Sequence, residues 1–366
     1  MSKARELAEL GAVYDSGALS NRNMVINGGM TVSQRSSGTV TVSDGSNEGY
    51  ATVDRFGLRF NATAGGACEM SQSTDTPDGF ANSVKIKCST ADSAHTGTQS
   101  IYLDQRVEAQ NLQLLGYGSS GAKTMTISWY MKTVNYTDPI SIALETRDGT
   151  GQYYVKSYTP TTSWARYTCT VPASTSATIN NDSGDGMHVK FVFAGSSSGT
   201  YAASSDSTAW STTRADYRND IGNFVASTSN ELYITGVQLE VGTEATPFEH
   251  RSFGQELALC QRYYQRQTAG TNQYSIFLTG SIDTTSNIYL YGKLNGTMRT
   301  SPSFATANTY LYTQPGGTLT YAATSNRSGP EVASINFGTI SGGTQGYGIR
   351  FESNAGNGYV EFDAEL

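Results

Sequence analysis

Three histidines, His95, His188 and His250, lie far apart and in different contexts. A zinc centre, which gathers closely spaced nitrogen and thiolate ligands, is therefore not indicated. Carboxylates pair up at Asp182 with Asp185 and at Glu145 with Asp148. Glycosidic cleavage needs two carboxylates at a defined separation, but acids in such Gly- and Asn-rich stretches fit better as turn residues. No Gly-x-Ser-x-Gly elbow, phosphate-binding loop or dinucleotide fingerprint occurs. The expectation is that the chain is not an enzyme. Its rings are more informative: Tyr201, Trp210 and Tyr217 in one long Ser/Thr-rich stretch, and Tyr310, Tyr312 and Tyr321 nearer the C-terminus. Such rings stack on the C–H faces of sugars while Asn, Asp, Gln and Arg bond the hydroxyls, and they offer contact area at low entropy cost. These six are the expected glycan-binding residues. The alternative is that they pack the loop down or fill a subunit interface.

The elements that must position these rings are strands. Only 15% of the 366 residues are charged, against 39 Gly and 23 Tyr, the makeup of a β-rich chain with many turns. A net charge of -7 without a Lys/Arg cluster excludes a nucleic-acid groove. No apolar run approaches the roughly 18 residues that a membrane helix needs, and the opening MSKARELAEL lacks the apolar core of a signal peptide. A chain made in the cytoplasm and not exported by that route is expected. Cys68, Cys88, Cys169 and Cys260 show no CxxC spacing and read as buried thiols. Cys68 and Cys88 could face each other on neighbouring strands, with or without a bridge.

Residues 2–11 suit a short helix with Ala4, Leu7 and Ala8 on one face, an anchoring arm that needs a surface to dock on. Alternating runs then begin at Phe56, Val84, Ile101, Met125, Ile140, Tyr153, Ala165, Met187 and Tyr233. Two antiparallel sheets packed face to face would bury so many one-sided strands. In the last run Tyr233, Thr235, Val237, Leu239 and Val241 are expected to share one face. Gly195 to Asn230 is a connection long enough to be functional or disordered. After Pro247 the period changes: Ser252 and Gln255 form a capping box, and Phe253, Leu257, Cys260 and Tyr264 follow at helical spacing. Short strands resume at Ile276, Ile288, Tyr310, Leu319, Ile335, Ile349 and Val360, with turns at Gln314-Pro315-Gly316-Gly317 and Asn354-Ala355-Gly356-Asn357. The expected organisation is an arm over 1–20, a sandwich over 21–248, a linker helix over 249–268 and a C-terminal β-domain over 269–366.

Asn21 to Met30 with Gln34-Arg35, the Y-x-x-V-D-R-F of Tyr50 to Phe56, and ITGVQLEVGTEATPFEHR from Ile234 to Arg251 with LALCQRYYQ from Leu257 to Gln265 carry a resemblance. Together they resemble the jelly-roll module of bacteriophage virion proteins, notably tail fibers of marine and cyanobacterial phages. Met298 to Pro302 and the chain end from Phe362 to Leu366 look like the C-terminal β-domain often appended there. Lys3 to Ala8 is similar to short leaders of phage structural proteins.

The resemblance implies an all-β fold: an antiparallel jelly-roll β-sandwich similar to carbohydrate-binding modules, a short linker helix and a smaller C-terminal β-domain, preceded by a short helical arm. Sandwiches of that type often hold a structural calcium, for which Asn27, Asp54 and Glu240 are the candidate oxygen donors; no other cofactor is implied. Asp54 and Arg55 are expected to fix a turn or ion pair. The function implied is that of a virion structural protein, assembled in the host cytoplasm, and in the first place a tail fiber attaching the particle to host cell-surface polysaccharide. The alternatives are a capsid decoration or tail adaptor without host ligand and, third, a carbohydrate-active enzyme. Partners would be other virion proteins and two further copies of the chain, the arm and an exposed Leu257 to Tyr264 face supplying the homotrimer contacts.

Overall fold

A computed structural model of the chain describes residues 22–270, 275–284, 287–313, 317–319, 323–338, 343–353 and 358–366. The arm with Ala4, Leu7 and Ala8, Tyr321, and the turn residues 314–316 and 354–357 lie outside the described residues. The chain forms two compact units, the first running to Glu256 and the second spanning Leu257–Glu365.

The first unit carries β1 (Val40–Ser43), β2 (Gly57–Asn61), β3 (Ala67–Ser73), β4 (Ser83–Thr90), β5 (Ser100–Glu108), β6 (Met125–Val134) and β7 (Ile140–Thr146). It continues with β8 (Tyr153–Tyr158), β9 (Ala165–Val171), β10 (Asp185–Gly195), the two-residue β11 (Ala202–Ala203) and β12 (Tyr217–Arg218), and β13 (Glu231–Val241). Two antiparallel sheets result, six-stranded in the order β1-β3-β4-β13-β6-β9 and five-stranded in the order β2-β5-β10-β7-β8. Each sends alternate side chains into one shared core, among them Leu58, Leu103, Ile127, Trp129, Leu144, Phe191, Phe193 and Leu239, which is the packing of a jelly-roll sandwich. Cys68 and Cys88 stand opposite each other on β3 and β4 as free, buried thiols, and burial raises both above the usual thiol range.

Strand β13 departs from the expected alternation. Its pairing with β6 is regular up to Thr235 and resumes at Gln238, with Gly236 at φ +62° between them. The extra residue reverses the phase, so Leu232 and Ile234 face the core before the bulge and Val237 and Leu239 after it. Tyr233 and Thr235 therefore do not share a face with Val237 and Leu239.

That bulge receives the N-terminal segment. Val237 N donates to Gly28 O at 3.0 Å, Asn23 Nδ2 donates to Val237 O at 3.1 Å, and Asn23 Oδ1 accepts from Leu239 N at 3.0 Å. A Cβ on Gly28 would lie 2.0 Å from Val237 O, so only glycine allows this approach. Asn27, at φ +59°, accepts from Val32 N and donates to the carbonyls of Val32 and Asp54. Asp54 accepts from Gln34 N at 2.9 Å, and the buried Arg55 donates to Arg106 O at 2.6 Å. Arg251 reaches the carbonyls of Asn23 and Val25, and Glu256 accepts from Asn27 N. The motif residues thus tie the start of the unit to its last strand and to the segment beyond it.

An α-helix, α1 (Phe253–Gln261), follows. Its capping box forms, with Ser252 N donating to Gln255 Oε1 at 3.0 Å and Gln255 N to Ser252 Oγ at 3.4 Å. The boundary between the units falls inside it. Tyr264 is not on the helix but opens β14 (Tyr264–Thr268), because pairing with the last strand takes it, and Cys260 and Tyr264 are 0% and 1% exposed. The expected exposed face from Leu257 to Tyr264 is thus corrected: its ring and its thiol belong to the interior.

The second unit adds β15 (Ile276–Thr284), β16 (Asn287–Lys293), β17 (Ser303–Ala307), β18 (Thr309–Thr313), β19 (Gly317–Leu319), β20 (Ala323–Asn326), β21 (Val332–Gly338), β22 (Gly348–Ser353) and β23 (Tyr359–Asp363). These form a three-stranded sheet, β14-β23-β17, and a seven-stranded sheet, β19-β18-β22-β15-β16-β21-β20. Leu278, Leu290, Leu311, Phe337, Phe351 and Phe362 are buried between them.

Candidate functional site

The inward commitment of those apolar residues decides what the seven-stranded sheet shows on its other face. Along β16, Ile288 and Leu290 are buried, so Tyr289 and Tyr291 point outward. On β18 the buried Leu311 likewise leaves Tyr310 and Tyr312 outside. Strand register lines these up: Tyr312, Arg350, Thr279, Tyr291 and Ser334 stand opposite one another across five adjacent strands. Tyr312 and Tyr291 are three strand steps apart, roughly 14 Å at the usual spacing. Beside them runs a second row of Ser281, Tyr289, Asn336 and Ser325. On the other side Tyr310, Glu352 and Ile276 form a third.

This face is unusually open for its apolar content. Tyr291 is 53% exposed, Ile276 50% and Val332 48%. Its other rings are held in place: the Arg350 guanidinium lies 4.8 Å from the Tyr312 ring centre, that of Arg327 lies 5.5 Å from Tyr289, and Tyr310 OH donates to Glu352 at 2.9 Å. Glu352 also neighbours Arg350 at 3.6 Å, so its carboxylate serves as an acceptor in the row. Flat rings at intervals among Ser, Thr, Asn and Arg donors can stack on sugar faces and bond the hydroxyls around them. Tyr289 and Tyr291 were not among the expected site residues, although the alternation with Ile288 and Leu290 marks them as outward.

The long connection in the first unit places its rings differently. Tyr217 is fully buried, packed with Ala143, Val155, Val192 and Ile221 on the outer face of the five-stranded sheet, and has no face left for a sugar. That corrects its expected role, for a long loop poor in aliphatics is held down by its rings. Trp210 is half-buried, donates Nε1 to Pro172 O at 2.8 Å and meets Tyr117 and Tyr154 at 5.9 and 5.8 Å. The Arg214 guanidinium covers Tyr201 at 4.0 Å. The same loop pairs with the outer edge of β8 through Ser207 N to Val155 O at 2.8 Å and Ser211 N to Tyr153 O at 3.1 Å, covering an edge that would otherwise invite another strand.

The acids are engaged as well. Asp182 closes its own turn by accepting from Gly184 N at 2.8 Å, and Asp148 accepts from Asn180 N at 2.9 Å. Glu145 takes the Lys190 ammonium at 2.6 Å and pairs with Arg147, while Asp185 binds His188 at 2.5 Å. Burial by itself would raise the Glu145 carboxyl, but Lys190, His188 and Arg147 outweigh it and hold it at about 2. That is an ion-paired carboxylate and not a poised general acid. His250 packs against Phe80 and Phe248.

Of the candidate calcium donors, Asn27 and Asp54 are neighbours in the network described above. Glu240 is held by other groups, accepting from Gln238 Nε2 at 2.8 Å, Thr246 N at 3.0 Å and Thr246 Oγ1 at 2.6 Å. Among the described residues no cluster of His, Cys, Asp and Glu is arranged to hold a metal ion.

No protein-family model matches the chain, and no curated protein matches it either. Several solved structures resemble it. One is the enzymatically active domain of tailspike protein 4 from bacteriophage CBA120, with 12% identity over 55% of this chain and 21% of that one, at a TM-score of 0.30. Another is the module TmCBM61 in complex with β-1,4-galactotriose, with 11% identity over 61% of this chain and all of that one, at a TM-score of 0.29. A third is the family 11 carbohydrate-binding module from Clostridium thermocellum in complex with a mixed-linked tetrasaccharide, with 12% identity over 57% and 99% of the two chains, at a TM-score of 0.29. All three are distant likenesses, and this chain spans about a fifth of the tailspike's length.

Proposed function

We propose that the protein is a glycan-binding structural component of a bacteriophage particle that attaches it to host-surface polysaccharide without cleaving it. The observation that carries the binding is the open row of Tyr312, Arg350, Thr279 and Tyr291 on the seven-stranded sheet. The placement on a virion, as a tail fiber, rests on the resemblance of the Asn21 to Met30, Tyr50 to Phe56 and Ile234 to Arg251 segments to phage virion modules. A homotrimer would raise weak single-site affinity by multivalency.

The test is saturable binding of the full chain to phage-sensitive cells, with free cell-surface polysaccharide as competitor. Competed binding that Tyr291→Ala weakens about tenfold, ~1.4 kcal/mol, supports the reading. Binding that ignores Tyr291, or none by the folded protein, overturns it. Release of reducing sugar would replace binding with cleavage. A second reading is favoured by Ile276 and Val332, exposed aliphatics on the same face that suit a protein neighbour. On it the face docks another virion protein, as in a capsid decoration or tail adaptor, and virion proteins in place of polysaccharide compete.

A further inference from the structure

In the first unit β8 and β9 are the end strands of different sheets, and the long loop lies along β8 beside the gap between them. Three ring donors cross it to cap carbonyls on β9 and just beyond: Tyr158 OH to Thr168 O at 2.9 Å, Tyr154 OH to Thr170 O at 3.3 Å, and Trp210 Nε1 to Pro172 O at 2.8 Å. Above these bonds lies a groove of about 530 Å³, lined by Tyr154 and Lys156 on one side, Thr170 and Pro172 on the other, and Ser207 and Thr208 from the long loop. Small-molecule sites span roughly 300–1,000 Å³, so the space suits a ligand of one or a few rings.

Lys156 gives the groove its chemistry. It sits between Tyr154 and Tyr158 on β8, half-buried, with its ammonium 5.7 Å from the Tyr154 ring centre, and it makes no ion pair among the described residues. Burial pulls its pKa down, but the hydrogen bond to Tyr154 leads the effects that raise it, and it stays a cation. Asp206 also lines the groove, but its carboxylate is taken by Arg218 Nε at 2.9 Å and by Ser157 N at 3.2 Å. Nearby Asp220 is likewise turned to Arg218 at 3.6 Å and to Ser157 Oγ at 2.8 Å. The lysine is thus the cation in a wall of hydroxyls, with Asp206 near enough to act on it but bonded through Oδ1 to Arg218 and Ser157.

From this we infer a second binding site, distinct from the tyrosine face and independent of it: the β8–β9 groove takes an acidic saccharide residue. Its carboxylate meets the Lys156 ammonium, its hydroxyls meet Thr170, Ser207 and Thr208, and its C–H face lies on Pro172. Such a charge-assisted contact is roughly twice as strong as a neutral one, so a uronate is preferred over the corresponding neutral sugar.

The experiment is calorimetric titration of the full chain with trigalacturonate and, separately, with neutral trigalactose. Expected are binding of the acidic trimer that weakens as NaCl is added, at least about tenfold weaker binding of the neutral one, and a similar tenfold loss in Lys156→Met, ~1.4 kcal/mol. Lys156→Arg, which keeps the charge, retains binding, and matching circular dichroism shows that the Met variant is folded. Equal binding of both trimers, or unchanged binding by Lys156→Met, overturns the site. So does displacement of trigalacturonate by an equal concentration of inorganic sulfate, since a bare anion site would need no sugar.

Discussion

Tyr291 offers its ring because Ile288 and Leu290, its neighbours on β16, are taken by the core. Truncating it removes contact area without touching that core, so Tyr291→Ala should leave the unfolding free energy within about 0.5 kcal/mol of the parent while weakening polysaccharide binding. Glu145 is the opposite kind of residue. Its removal leaves Lys190, 5% exposed, with Asp216 at 3.6 Å as its remaining acid. Glu145→Gln should therefore cost about 3 kcal/mol, the low end for breaking a buried pair. The pH dependence has a defined sign. A carboxyl held at about 2 when folded, against an ordinary 4.5, contributes stability that is complete above the ordinary value. That contribution is lost as pH falls towards 2. The stability read from denaturant melts should fall steeply between pH 5 and 2 for the parent and less steeply for Glu145→Gln. The acid itself was visible in the sequence, but its partners were not, since Lys190 and Asp216 are brought to it by β10 and the long loop.

Strand β13 and the N-terminal segment explain each other at the scale of elements. A positive φ at Gly236 breaks the pairing with β6, and the backbone of Gly28 fills the break. Gly28→Ala would set a methyl group against Val237 O, and about 3 kcal/mol of destabilisation is expected in chemical melts. Ser252→Ala, which removes one half of the capping box, should cost about 1 kcal/mol. The box was readable because it is local in sequence and its partners lie one helical turn apart. The phase reversal in β13 was not, because alternation is read by parity and a bulge changes parity without changing composition. Strands β1, β3, β11, β12, β14, β17 and β20 are not among the expected ones. Their runs, such as Ser303 to Ala307, hold too few large apolar residues to show a period, and only their neighbours' hydrogen bonds make them strands.

For the whole molecule, two quantities follow. The side chains proposed for calcium already accept bonds from internal donors, so excess EDTA should leave the melting temperature unchanged; a fall would show that a bound cation stabilises the fold. Sedimentation equilibrium should give three times the chain mass of 39.1 kDa if the homotrimer forms, and a monomer would remove multivalency from the attachment proposal. The sequence by itself determined the class of the protein. Frequent turns, one-sided strands and scarce charge leave two packed sheets as the way to bury the apolar faces, and the period change after Pro247 located the helix. Tertiary structure decided which rings are free. Tyr217 and Tyr291 are the same residue type, yet one is folded under by a loop that must satisfy its own backbone while the other stands on a sheet face that no described element covers. Burial of that kind depends on contacts distant in the chain, which local composition and spacing do not encode.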